Sequence, residues 1–118
     1  MLNEKDYCDY DTCVALKELG YPTKMTFIGE QATIEISINS GLIQLYEAQK
    51  WLREEKNIIV EVFVDDDSDT PITYNIYKDS ECIVHHHGNY YSVKDWNIAL
   101  LEGIKGAIRI LKEKENGN

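Results

Sequence analysis

The alternation of apolar and polar positions divides this chain into eight elements. Val14, Ala15 and Leu19 give the first short stretch its apolar helical surface, with Asp11 or Thr12 able to cap it. Gly20-Tyr21-Pro22 stops it, because glycine takes the left-handed conformation after a helix and proline cannot continue one. Met25 and Phe27 then alternate with Thr26 and Ile28. After Gly29-Glu30, Ala32, Ile34, Ile36 and Ile38 alternate with Thr33, Glu35 and Ser37. Period two with one polar face predicts two strands covered on one side, with Gly29 at the hairpin turn.

A second helix is predicted from about Leu42 to Lys56, capped by Asn39 or Ser40. Leu42, Leu45, Ala48 and Leu52 form its apolar stripe, and Asn57 ends it. A buried strand follows at once, with Ile58, Val60, Val62 and Val64 on one face and Ile59 and Phe63 on the other. A strand returns with Ile72, Tyr74 and Ile76, and Lys78-Asp79-Ser80 turns the chain into Cys82-Ile83-Val84-His85. The last helix opens at Ser92, with Asp95 three residues on in a capping-box pattern. Its stripe is Trp96, Leu100, Ile104, Ala107 and Leu111. The order is α-β-β-α-β-β-β-α. Short connections favour antiparallel pairing, so the expected fold class is α+β: two layers, a mainly antiparallel sheet with the helices on one face.

A length of 118 residues predicts a single domain over 1–118, with 1–6 and 115–118 frayed. The polar, acidic start MLNEKDYCDYDT lacks the basic and apolar regions of a secretory signal. No run of about 18 apolar residues is present, which predicts no membrane span. Three cysteines, Cys8, Cys13 and Cys82, without an export signal point to reduced thiols and a cytoplasmic location.

Charge changes the picture most. Residues 61–81 carry Glu61, Asp65, Asp66, Asp67, Asp69, Asp79 and Glu81 against Lys78, a net of −6, and residues 1–11 carry −3. Together these equal the whole net charge of −9. A local field of this kind concerns partners and not fold. Asp65, Asp67 and Asp69 alternate like the opening of a calcium loop, but Thr70 stands where glycine is required and Ile76 where a bidentate glutamate is required. The loop therefore reads as a solvated hairpin connection or a partner-facing acidic patch.

His85 and His87 could supply two metal ligands from one strand face, and Cys8 and Cys13, with four residues between them, could add thiolates for zinc. Cys82 beside His85 is the one sketch of a nucleophile with a base. Strand parity predicts Cys82, Val84 and His86 on a common face, where a cysteine among apolar residues is inert packing. No phosphate-binding glycine loop, dinucleotide fingerprint or zinc-protease motif is present. Among eight tyrosines, Tyr90 and Tyr91 lie outside the regular pattern and are the better interface candidates.

Residues 42–113, in the order α-β-β-β-α, resemble a double-stranded-RNA-binding domain in topology. Such domains place basic residues against phosphates. Here the corresponding loop is DDDSDTP and the last helix begins SVKDW, so nucleic acid would be repelled. The segments LYEAQKWLREEKNIIVEV and IALLEGIKGAIRIL look like a set of small uncharacterised α+β proteins of gut bacteria and their prophages. These are packing motifs, and the resemblance implies a shared fold and no particular activity.

The expected function is that of a non-enzymatic cytoplasmic protein-binding module, encoded on a mobile element in the sense of that resemblance. Asp65, Asp66, Asp67 and Asp69, with Tyr90 and Tyr91, would face a basic protein partner. No cofactor, catalytic residue, nucleic acid or membrane is expected. Two alternatives remain open: a zinc-binding protein or metal-dependent enzyme built on His85 and His87, and a helper that dimerises through Tyr90, Tyr91 or an edge strand.

Overall fold

Ile58–Val64 (β1), Ile72–Lys78 (β2) and Glu81–Tyr90 (β3) form an antiparallel meander with β2 in the middle. The structure, a computed structural model, describes residues 6–22, 43–65, 71–90 and 92–116. The two strands expected at 25–28 and 32–38, the Gly29 turn between them, and Tyr91 lie outside these residues.

The β1–β2 register runs from Ile58 opposite Lys78 to Val64 opposite Ile72. Paired residues share a face, so Ile58, Val60 and Val62 stand with Tyr74 and Ile76 on one side, and Ile59, Glu61 and Phe63 with Thr73, Asn75 and Tyr77 on the other. Helices Tyr10–Glu18 (α1), Leu45–Lys56 (α2) and Trp96–Asn116 (α3) bury their apolar residues with the first set. The fold is α+β with its helices packed on the sheet. Leu16, Leu45, Leu52, Ile58, Leu100 and Ile104 are fully buried in this core, each contributing roughly 1.5–3 kcal/mol. No helix among the described residues is long and apolar enough to cross a membrane.

Four of the five residues of the expected α3 stripe, Leu100, Ile104, Ala107 and Leu111, are buried, and Ala99 and Ile108 join them, while Trp96 is only partly buried. Gly103 and Gly106 lie on the same side of the helix. A side chain at Gly103 would run into Val60 and come within 3.3 Å of Tyr74, so the helix axis sits close to the sheet here. The start of α3 departs from a simple capping box. Ser92 Oγ accepts from the Lys94 N–H at 3.2 Å, and a short 3-10 turn over Val93–Asp95 precedes the α-helix.

Two other caps differ from expectation. The second helix begins at Leu45 and not Leu42, with Gln44 as N-cap and no side-chain cap bond; Asn39 and Ser40, the expected caps, lie outside the described residues. Its start is set instead by pairing: Tyr7 bridges Gln44, and the Cys8 N–H donates to the Ile43 carbonyl at 2.8 Å. Asn57 ends it as predicted, left-handed at φ 52°, and its side chain donates to Asp79 at 2.9 Å. Asp79 and Ser80 also take positive φ, 53° and 70°, as a two-residue hairpin turn requires.

Neither Asp11 nor Thr12 caps α1. Asp9 does, its Oδ1 accepting from the Thr12 N–H at 2.9 Å while Lys105 of α3 reaches its other oxygen at 2.9 Å. The helix stops at Gly20 as expected: the Tyr21 and Gly20 N–H groups return to the Leu16 and Lys17 carbonyls. Further along, Glu18 meets Lys112 at 3.1 Å and Asp6 accepts from Asn97 at 3.1 Å, so polar contacts run along the α1–α3 seam.

Asp9→Ala is expected to cost about 0.5–2 kcal/mol, mostly from the lost cap, because the Lys105 pair is half exposed and adds little. Partial desolvation raises the Asp9 pKa, but the hydrogen bonds from Thr12 and Lys105 outweigh it and hold the carboxyl below its ordinary value. A depressed carboxyl stabilises the fold above its unfolded pKa and loses that effect as pH falls through the folded one. Urea titrations of wild type and variant should therefore converge in strong acid. A difference that persists unchanged in strong acid would exclude the ionised cap as its source.

Candidate functional site

The edge strand β3 is longer than the strand it pairs with, and the excess is absorbed in bulges. Its register against β2 shifts between Tyr77 and Ile76, between Ile76 and Tyr74, and between Tyr74 and Ile72. Bulges re-aim side chains and are common near functional sites. Here they fall on and around the histidine triplet. His86 takes φ 44° and Gly88 φ 99°. Histidine tolerates the left-handed region better than most residues, yet a non-glycine there persists only when its surroundings hold it.

The surroundings come from β2. On the outward face, the Asn75 Oδ1 accepts from the His86 N–H at 2.8 Å and the Thr73 hydroxyl donates to the His87 carbonyl at 3.0 Å. These side chains replace ladder bonds that the bulge removes. Asn75 and Thr73 are buried, at 7% and 3% exposure, although they face away from the helices. The Asn75 amide also donates to Glu61 at 3.3 Å and to the Tyr77 hydroxyl at 3.1 Å.

The bulge breaks the parity expected of the triplet. His87 pairs with Tyr74 on the helix-facing side, ring centroids 5.4 Å apart. His86 turns outward, its ring 5.3 Å from Phe63 and its Nδ1 3.7 Å from Asp65 Oδ2. His85 is exposed, with its ring 6.2 Å from that of His86. The expected common face of Cys82, Val84 and His86 is likewise broken: Cys82 pairs with outward Tyr77 and Val84 with inward Ile76. The Cys82 thiol lies 3.4 Å from the Val84 carbonyl. Among the described residues, no group of three His, Cys, Asp or Glu side chains is placed to hold a metal ion.

Asp65, the first residue of the acidic run, meets His86 at one end of the sheet. Asp65 follows β1, and its N–H donates to the Pro71 carbonyl at 2.6 Å, closing the base of the loop. Asp66, Asp67 and Asp69 lie outside the described residues. The other end of the acidic stretch is neutralised within the fold: Lys78 at 2.9 Å, Asn57 and Lys114 hold the exposed Asp79 below the ordinary carboxyl range.

Tyr90 is half-buried and packs against the core, with its ring over Gly88, where any side chain would collide with it. Burial, then the nearby Glu102 and Asp95 charges, raise its pKa. Tyr74 beneath it is pushed up to about 12, chiefly by burial. Tyr90 is thus anchored in the fold along one side of its ring.

Asn75 and Thr73 are the site residues that sequence reasoning passed over. The signal was present as two short polar side chains alternating along a strand between two others, where outward positions are screened by neighbours. No protein-family model, curated protein or solved structure matches the chain.

Proposed function

We propose that this chain is a non-enzymatic, cytoplasmic protein-binding module whose Asp65 end of the sheet engages a basic partner. Asp65, Asp66, Asp67 and Asp69 supply the charge, with Tyr90 at the end of β3 and Tyr91 next to it in sequence. The observation that carries the reading is the concentration of charge: residues 61–81 hold seven carboxylates against Lys78. Asp65 stands beside His86 at the end of the sheet, and three further aspartates follow it within four residues of sequence. Such a density of like charge is where a partner's cations gain most.

Changing all four aspartates to asparagine should weaken binding to a basic partner by about 1–3 kcal/mol, roughly five-fold to 150-fold, since each exposed pair contributes about 0.2–1 kcal/mol. The check is capture from cell lysate on immobilised wild-type and variant protein, with elution by rising salt. A basic protein held by wild type, released by salt and lost with the variant is the expected result. Equal capture by both would exclude the loop as the interface.

A further inference from the structure

Asp9 is the N-cap of α1, which makes Cys8 the residue before the cap and Cys13 the fourth residue of the helix. Side chains at these two positions pack against each other in a capped helix and fix the direction from which the chain enters it; the pair is ordinarily apolar and acts as a staple. In this chain both are cysteines. They are buried, at 2% and 3% exposure, in one core cluster. Cys13 Sγ also lies 3.7 Å from the Cys8 carbonyl and accepts from the Ile43 N–H at 3.4 Å.

We propose that Cys8 and Cys13 form an oxidation site, at which a peroxide converts the non-covalent staple of α1 into an intrachain disulfide. The geometry favours it because the staple positions pack the two side chains together, Cys13 Sγ already lies 3.7 Å from the Cys8 carbonyl, and a disulfide joins cysteines whose Cβ atoms are about 3.5–4.5 Å apart. The environment also separates the roles. The neighbouring Cys8 thiol, the Ile43 N–H and the Lys17 charge together hold Cys13 below the ordinary thiol range in spite of burial. The same contact, with burial, raises Cys8. Cys13 is the attacking thiolate and Cys8 the resolving thiol.

The Cys13 thiolate attacks one peroxide oxygen, the O–O bond breaks, and the departing hydroxide takes up a proton as water. The resulting Cys13 sulfenic acid is attacked by the Cys8 sulfur, the S–O bond breaks, and the oxygen leaves with the Cys8 proton as a second water. Two thiols lose two electrons and one peroxide gains them. Access follows from the position of Cys8. The segment before α1 is held by the Asp6–Asn97 and Asp9–Lys105 contacts and by the pairing of Tyr7 and Cys8 with Gln44 and Ile43, and opening it breaks no bond of the three-stranded sheet.

The test uses the full-length protein, hydrogen peroxide and mass spectrometry, followed by a maleimide that marks unreacted thiols. The folded wild type should lose the mass of two hydrogen atoms, yield a peptide linking Cys8 to Cys13, keep Cys82 open to maleimide, and recover both thiols on treatment with dithiothreitol. In the Cys8→Ser variant, dimedone should trap a sulfenic acid at Cys13, whereas the Cys13→Ser variant should give far less adduct at Cys8. Three results would overturn the proposal. One is full maleimide labelling of Cys8 and Cys13 after peroxide. Another is oxidation at Cys82 in place of the pair. The third is a link that forms as fast in urea as in the folded chain. The wild-type comparison stands even if a serine variant fails to fold.

Discussion

Gly103→Leu should destabilise the fold at the upper end of about 1–3 kcal/mol, the range for forcing volume into a packed core. The added side chain would start inside the contact distance of Val60 and 3.3 Å from the Tyr74 ring. Both neighbours are buried strand residues with no room to withdraw, at 1% and 5% exposure. Gly103→Ala is the sharper comparison. In an exposed helix the change gains about 1 kcal/mol from propensity; here the sign should reverse, because even a methyl group meets Val60. Gly106 supplies the control. A methyl there would touch only the Ile76 Cδ1, at 3.0 Å, the movable end of a flexible side chain. Gly106→Ala should therefore stay within about 1 kcal/mol of wild type, its propensity gain offsetting a small adjustment. Urea unfolding of the three variants decides the matter, and a stabilising Gly103→Ala would mean that α3 does not need to approach the sheet so closely. Combining Gly103→Ala with Val60→Ala should cost less than the sum of the two, because the second change removes the atom that the first one strikes.

Much of this architecture was readable because its signals are local. The α3 stripe, the Asn57 stop, the Gly20 stop and the turn at Asp79-Ser80 each follow from a few neighbouring residues with fixed conformational preferences. The cap of α1 was misplaced by two residues because Asp9, Asp11 and Thr12 are all competent caps, and the choice among them depends on where Cys8 and Lys105 come to lie. The start of α2 failed for a similar reason: the pairing of Tyr7 with Gln44 is a long-range contact with no local mark. At the candidate site, Asp65 and His86 were each visible in isolation. Their meeting was not, since it depends on a register that three bulges shift, and a bulge has no dependable sequence signature beyond a glycine such as Gly88. Counting parity along an edge strand assigns faces correctly only as far as the first irregularity.

Asn75→Ala should cost about 1–3 kcal/mol, the range for orphaning a buried polar group, and its effect should concentrate at the histidine bulge. The Asn75 Oδ1 is the acceptor for the His86 N–H, and His86 sits at a positive φ that only its surroundings maintain. With the acceptor gone, the peptide group is released, and the ring loses the position that sets it against Phe63 and Asp65. Hydrogen exchange reads this directly. The His86 amide should be protected in wild type and exchange faster in the variant, while core amides such as that of Ile76 change only with global stability. Asn75→Asp separates the two halves of the side chain. It keeps an oxygen for the His86 N–H, so protection should largely survive, but it replaces the donor to Glu61 with a second carboxylate. Like charges raise the pKa of the pair in the folded state, so stability lost at neutral pH should return as the solution is acidified and a proton is shared between them. If binding of a basic partner also falls in Asn75→Ala, with every aspartate of the loop intact, then the bulge positions the acidic end of the sheet. If binding is unchanged while His86 exchanges freely, the acidic loop acts by charge alone, and the bulge serves only to end the sheet.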